Sequence, residues 1–367
     1  MYINDFFFNS TFFVICFLLK KKKNQYLNCL SKKKKNNKIK FNFFFNGFCF
    51  FHDLFTSIII SKKNIFVQFY IIRNDFLGKK FFKLIKYKSD KILILLLIDY
   101  IGTIFLKKKI ENIFLYVYNK KKILLNFRNH KKIIFIDNNI LWIGGNNVGK
   151  EYINLNFFIK YWNDFHCKIK NIYPNFIIEN FNFKKIKNNF TIKKIEICKK
   201  FFFLKYIKSF INIIIFFVKK KIIIMSPYII LDIKLINLLK ILIKKNIEII
   251  FLVSYKTDNY FIQFSSLIFL KFLMHYKIKI FFLELGFYHR KIYIIDKKYV
   301  CFGSMNFDIR SIYINEECLF LMNDSDFLYK ININIKKNFF SKFINYKKTN
   351  FFIKFIYIVS FLNYYIQ

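Results

Sequence analysis

Two kinds of apolar segment alternate along the chain, and they point to two kinds of element. Ile65–Ile72 (IFVQFYII) and Ile92–Ile98 (ILILLLI) are nearly unbroken hydrophobic runs of strand length, as expected of strands covered on both faces. Between them Gly78–Tyr87 (GKKFFKLIKY) has helical spacing, Asp53–Ser61 reads as a short helix ahead of them, and Asp99–Gly102 closes the second run. The same succession returns downstream. Phe201–Val218, interrupted by Lys205 and Lys208, has the length of an amphipathic helix, and Ile222–Met225 is a short strand ending at Ser226-Pro227-Tyr228. Leu231–Lys245 places Leu and Ile at i, i+3 and i+4, and Ile247–Val253 (IEIIFLV) is another buried strand. The repeated alternation predicts an α/β protein of two pseudo-twofold-related halves, each a mostly parallel sheet flanked by helices, with a shared site at the seam. The expected division is an N-terminal apolar and basic, membrane-proximal segment over 1–40, a first half over 41–200 and a second over 201–367. Residues 19–40 read as a Lys/Asn-rich linker, and the role of the apolar run Phe351–Gln367 stays open.

Each half closes in the same signature. Residues 130–137 (HKKIIFID) and 289–296 (HRKIYIID) both spell His-x-Lys-x4-Asp. In extended chain, residues i and i+2 share a face, so His130 projects with Lys132 and His289 with Lys291. Each pair offers an imidazole and an ammonium to one anionic group. Asn147 stands as far beyond His130 as Asn306 beyond His289, preceded by Gly144-Gly145 and by Gly303-Ser304. Glycine admits close backbone approach to a ligand, and Asn supplies an amide donor. One such match is weak; two, with the same trailing Gly and Asn in register, form a strong signal.

On these residues the chain resembles the phospholipase D superfamily. Ile72-Arg73-Asn74-Asp75, Asp99-Tyr100-Ile101-Gly102-Thr103, Arg128-Asn129-His130, Gly149-Lys150-Glu151-Tyr152 and Trp162-Asn163-Asp164-Phe165-His166 are similar to first-half segments of bacterial cardiolipin synthases. Ser226-Pro227-Tyr228 with Asp232, Asn306-Phe307-Asp308-Ile309-Arg310-Ser311 and Asn315-Glu316-Glu317 do the same for the second half. The resemblance covers roughly residues 41–330. It implies two phospholipase D-like halves and a catalytic set of His130, Lys132, Asp137, His289, Lys291 and Asp296. Within that set Asp137 and Asp296 brace the strand rather than touch phosphate. Asn147, Ser304 and Asn306 bind substrate with the lysines, while Glu317 and, for the other site, Asp164 orient the imidazoles. The halves being near-equivalent, spacing does not order the histidines; the resemblance gives His130 as nucleophile and His289 as acid and base. The implied reaction moves a phosphatidyl group between two phosphatidylglycerol molecules, giving cardiolipin and glycerol; with water as acceptor the product is phosphatidic acid. No metal or other cofactor is called for, because two lysines supply positive charge. The chain departs from the family at Leu231, where a second proline is usual, and in its N-terminus, where two transmembrane segments are usual.

Composition changes the picture in three places. Alanine is absent, Gly is 8 and Pro 2, while Lys, Ile, Phe, Asn and Tyr dominate, the signature of an AT-rich genome. That bias also accounts for much of the Phe and Tyr content and of the +43 net charge, so charge permits an anionic partner without choosing between lipid and nucleic acid. Two motifs in one chain argue against nucleic acid, because nucleases of the superfamily often carry one and dimerise; the expected partners are the anionic phospholipid and a membrane surface. Phe6–Leu19, followed by Lys20–Lys23, is shorter than the roughly 20 residues that span a bilayer. It reads as an interfacial anchor or a degraded span, giving peripheral or N-terminally anchored placement at a bacterial inner membrane. The seven cysteines form no Cys-x-x-Cys pair, and a reducing compartment is the default. His166 reads as a structural histidine, and His52 and His275 have no sequence partners. Two other readings compete: a hydrolase or nuclease of the same superfamily, and a non-enzymatic relic, which two complete half-sites oppose.

Overall fold

Motif strands that are apolar and buried on both faces decide the architecture. In the computed structural model, which describes residues 39–103, 112–118, 127–155, 161–171, 201–204, 210–211, 214, 217–254, 257–276, 278–283 and 286–338, the two halves are the same sheet built twice. The first half comprises β1 (Lys40–Phe44), α1 (Gly47–Ile60), β2 (Asn64–Phe69), α2 (Phe76–Ser89), β3 (Leu93–Asp99), β4 (Phe114–Tyr118), β5 (Ile133–Ile136), β6 (Ile140–Gly144), β7 (Trp162–Asn163) and β8 (His166–Lys170). The second comprises β9 (Phe201–Leu204), β10 (Lys221–Met225), β11 (Ile229–Ile230), α3 (Ile233–Lys244), β12 (Glu248–Ser254), α4 (Tyr260–Met274), β13 (Lys279–Leu283), β14 (Phe287–Tyr288), β15 (Ile292–Ile295), β16 (Tyr299–Gly303), β17 (Phe307–Asp308), β18 (Leu319–Met322) and α5 (Ser325–Asn338).

The sheet orders are β1-β8-β6-β5-β2-β3-β4 and, read from its other end, β9-β18-β16-β15-β10-β12-β13. Position for position they correspond, which is the pseudo-twofold repeat in structural form. The α/β class holds, but the expectation of mostly parallel sheets does not. Within the two seven-stranded sheets only β2–β3–β4 and β10–β12–β13 pair in parallel; the other neighbours there are antiparallel, and the short pairs β11–β17 and β7–β14 are parallel. The reason is local. The turns 137–139 and 296–298 are too short for a crossover, so β5–β6 and β15–β16 are hairpins. Both turns open with consecutive left-handed residues, Asp137 and Asn138 in one and Asp296 and Lys297 in the other.

The two sheets face each other with α1 to α4 outside, while α5 packs Phe327, Leu328 and Ile331 into the layer between them. Ile133 and Phe135 of β5 join Ile292 and Ile294 of β15 in a central core shared by both halves. Their alternates Ile134 and Ile136 pack outward with α1 and α2, and Tyr293 and Ile295 with α3 and α4. A strand sandwiched in this way is apolar at every position, which explains the unbroken runs. Helix starts are set by short polar caps: the side chains of Asn46, Asp75, Asp232 and Asn259 accept from backbone N–H groups of the first turns of α1, α2, α3 and α4. Helix α1 begins at the Asn46 cap, ahead of the expected Asp53. Phe201–Val218 is not one helix: Phe201–Leu204 forms edge strand β9, paired antiparallel with β18, whose outer edge would otherwise be open. The anchor at 6–19, the linker up to residue 38 and the run at 351–367 lie outside the described residues. Among the described residues no helix is long and apolar enough to cross a membrane.

The motif aspartates belong to this scaffold. The Asp137 carboxylate accepts from the backbone N–H groups of Lys62, Lys63 and Asn64, and that of Asp296 from Lys219, Lys220 and Lys221. Each pins the entry of the neighbouring strand, at the far end of its motif strand from the histidine, on the order of 20 Å along extended chain. Of the residues expected in the catalytic set, these two carboxylates are thus engaged with backbone. Asp137→Ala and Asp296→Ala are each expected to lower unfolding stability by about 2 kcal/mol, read from denaturant melts. Equal losses in the two variants would express the repeat.

Candidate active site

The seam is tied at two symmetric places. Strands β7 and β14 pair in parallel across it, Trp162 against Phe287 and Asn163 against Tyr288, and Asn129 forms a bridge with Glu316. As a result the His289 N–H donates to the Asn163 carbonyl at 2.7 Å, and the His130 N–H to the Glu316 carbonyl at 2.9 Å. Each motif histidine is held by backbone from the opposite half.

The side chains repeat this crossing. His130 Nδ1 lies 2.8 Å from Glu317 Oε1, and His289 Nδ1 lies 2.6 Å from Asp164 Oδ2. The carboxylates are held in turn. Ser304 donates its hydroxyl to Glu317, and Asp164 Oδ1 accepts from the Phe165 N–H at 2.7 Å. The position equivalent to Ser304 is Gly145, where a Cβ would fall 2.1 Å from Asp164 Oδ1. A longer acid thus comes with a serine and a shorter acid with a glycine. Lys132 Nζ donates to the His130 carbonyl at 2.6 Å, and Lys291 Nζ to that of His289, lying also 2.7 Å from His289 Nδ1. Tyr70 sets its ring edge-on to His130 at 5.0 Å, with Lys132 Nζ 5.4 Å from the ring centre, while Trp162 covers His289 at 5.0 Å.

Burial governs the protonation states. It drives the His130 pKa down to about 4 despite the nearby Glu317, and also lowers that of His289. It lowers Lys132 to about 7 and Lys291 to about 8. Burial pushes the Glu317 carboxyl up, but the His130 and Lys132 charges and the Ser304 hydroxyl hold it below the usual range; Lys291 and His289 do the same for Asp164. Lys291 acts on both His130 and Lys132, Asp164 on Lys132, and Glu317 on Lys291. The two half-sites therefore share one field.

The expected substrate-binding residues divide. Ser304 is fully buried, donates to Glu317 and accepts from the Cys318 N–H, so it positions the carboxylate; its assignment to substrate is corrected. Asn147 donates to the Tyr152 hydroxyl at 2.7 Å and accepts from the Ile71 N–H at 3.1 Å, engaging both ends of its amide within the fold. Asn306 bonds to the Asp308 carboxyl, and its Oδ1 has no partner among the described residues, leaving an amide that can turn to a ligand. His166 is buried against Phe50 with ring centroids 4.0 Å apart, and burial drops its pKa to about 3, as befits a structural histidine. Tyr70 escaped the sequence, since one among 24 tyrosines carries no signal until its place beside His130 is known.

Residues 215–339 match the family model described as cardiolipin synthase, PLD-like domain. The fold is that of a solved relative, a phosphatidylserine synthase from Haemophilus influenzae Rd KW20, with TM-score 0.68, 14% identity, and 89% of this chain and 93% of that one covered. In residues 215–339 the chain is thus similar to the cardiolipin synthase, PLD-like family. Among similar proteins is a cardiolipin synthase of Clostridium perfringens (strain SM101 / Type A), 27% identical over 318 residues, covering 77% of this chain and 67% of the relative. The major cardiolipin synthase of Bacillus subtilis (strain 168) is 28% identical over 323 residues, covering 77% of this chain and 64% of its own. The chain thus spans about two thirds of the length of these superfamily relatives.

The protonation states set a pH profile. Phosphodiester turnover at these groups would need His130 neutral and His289 protonated, so kcat/KM is expected to fall below pH of about 4 and to fall again on the alkaline side from below the usual imidazole range, because burial lowers the His289 pKa. Glu317 raises the His130 pKa, so in Glu317→Gln the acid limb moves to lower pH while kcat drops by on the order of a hundredfold or more. A pH series on the two proteins checks this.

Proposed function

We propose that this protein is a phosphatidyltransferase that joins two phosphatidylglycerol molecules into cardiolipin and glycerol through a phosphohistidine intermediate. The observation that supports the reading is the crossed pair of imidazole–carboxylate contacts, each histidine of one half meeting a carboxylate of the other. An ionised carboxylate only accepts, so the contact of Glu317 with His130 Nδ1 fixes the proton there and leaves the Nε2 lone pair outward. Nε2 attacks the donor phosphorus, a P–N bond forms, and the bond to the glycerol oxygen breaks. His289, as imidazolium beside Asp164, gives its proton to that oxygen. It then removes the proton of a hydroxyl on the second phosphatidylglycerol, whose oxygen displaces His130 and completes cardiolipin. Lys132 and Lys291, with the Asn306 amide, hold the non-bridging oxygens and offset charge in the transition state. The order of the histidines follows the family resemblance.

A substrate confined to a bilayer requires the enzyme at its surface. The net charge of +43 suits the anionic leaflet of a bacterial cell membrane, with peripheral or N-terminal attachment. The same intermediate met by water yields phosphatidic acid, so hydrolysis is the second reading of the same chemistry. Nucleic acid is a weaker substrate reading, because both motifs reside in one chain and the relatives named above are cardiolipin synthases.

Purified protein incubated with phosphatidylglycerol is expected to release cardiolipin and glycerol, identified by mass spectrometry, and to leave plasmid DNA intact. His130→Ala and His289→Ala should each abolish turnover. The His289→Ala protein, given a donor with a nitrophenol leaving group, should accumulate a phosphatidyl adduct on His130. Retained turnover in both alanine variants would overturn the mechanism.

A further inference from the structure

Only four of the 64 Lys and Arg residues are arginine: Arg73, Arg128, Arg290 and Arg310. In a chain that uses lysine for almost every positive charge, an arginine marks a position where a planar group with five donors is needed. Arg290 has a packing reason, since its guanidinium is fully buried between the rings of Tyr288 and Phe45 and bonds to Asn334. The other three come from separate parts of the chain and meet at one place.

That place is the rim around Tyr70, whose ring stands against His130. Arg73 lies in the loop that leaves Tyr70, and its Nε is 3.0 Å from Glu151 Oε1. A Cβ on Gly149 would fall 2.8 Å from Arg73 Cγ, so glycine there makes room for this side chain. Arg128 sits two residues before His130, its carbonyl accepting from the Glu316 N–H at 2.8 Å. Arg310 opens the turn Arg310–Ile314 that delivers Glu316, and its carbonyl accepts from the Asn315 N–H at 2.8 Å. The charges of all three act on the Tyr70 phenol. Arg128 is 7% exposed, and its Nη1 has no partner among the described residues. Arg290 also has buried nitrogens without partners among the described residues, but its guanidinium faces are covered by Tyr288 and Phe45, whereas the open Arg128 nitrogen is available to an anion.

We propose that Arg73, Arg128 and Arg310 form a second anion site at the rim of the catalytic centre, which holds the phosphodiester of the lipid that supplies the attacking hydroxyl. The inference rests on the phosphatidyl-transfer reading above. Joining two phosphatidylglycerols brings two phosphate charges into one site. The histidines and lysines take the phosphate that reacts, whereas the acceptor keeps its own phosphate, three carbons from its hydroxyl. A rim of guanidinium groups offsets the repulsion between the two and selects an anionic acceptor over water or a neutral alcohol.

The test offers two acceptors to the same intermediate. Phosphatidylglycerol is incubated with the enzyme in the presence of ethanol, and the ratio of cardiolipin to phosphatidylethanol is read by mass spectrometry. Arg73→Lys, Arg128→Lys and Arg310→Lys are each expected to lower that ratio roughly tenfold. The ratio is internal to each incubation, so a partly unfolded preparation does not alter it, and the half-exposed Arg73 provides a variant with little folding risk. An unmoved ratio in all three active variants overturns the anion site and leaves phosphatidyl transfer standing. A wild-type protein that forms neither product, nor phosphatidic acid, overturns the transfer reading and this site with it.

Discussion

The structure depends on two imidazole–carboxylate contacts that cross the seam. Glu317 belongs to the second half and serves His130 of the first; Asp164 belongs to the first and serves His289 of the second. Neither half holds a complete site. The backbone obeys the same crossing, with each histidine N–H donating to a carbonyl of the opposite half. Orientation of the motif histidines and docking of the two sheets therefore depend on the same contacts. Such contacts do little for net stability, since buried charges give up hydration. The shared apolar layer of β5, β15 and their neighbours supplies the association, and the polar contacts determine its register.

Burying two lysines and two carboxylates in one field has a chemical result. Each ammonium is held near the pH at which it would lose its proton, and each imidazole is biased toward neutrality. A negative charge brought to these groups would reverse part of that bias. Such a set of buried cations favours an anion, in the manner of a preorganised electrostatic centre. Asn306, whose carbonyl has no partner among the described residues, and Tyr70, against His130, complete the surroundings.

Much of this was legible in the sequence because it is repeated. Glu317 and Asp164 lie against the two motif imidazoles, whereas Asn147, expected on substrate, bonds to Tyr152 and to the Ile71 N–H. Strands β2, β3, β10 and β12 and helices α2 and α3 lie within a few residues of their apolar patterns. What failed did so for physical reasons. Sheet direction is set by connection length, and the hairpin turns at 137–139 and 296–298 look in sequence like breaks between any two strands. Phe201–Leu204 became a strand because β18 needed an edge partner, a tertiary demand that local spacing does not record. Ser304 looked like a ligand because the hydroxyl's true acceptor, Glu317, is distant in sequence. In a chain so rich in Phe and Ile, apolar content alone could not mark where α1 begins.

The interval between motif lysine and motif aspartate can be understood from the layered core. Its four residues form a strand with two side chains in the central layer and two under the outer helices, and the aspartate at its end grips the start of the next strand. One residue more or fewer would exchange the inward and outward side chains and carry the carboxylate out of reach of the amides it receives. The interval acts as a ruler rather than as chemistry. Drift in base composition can rewrite which apolar residues fill it, as Ile-Ile-Phe-Ile and Ile-Tyr-Ile-Ile illustrate, but not how many there are.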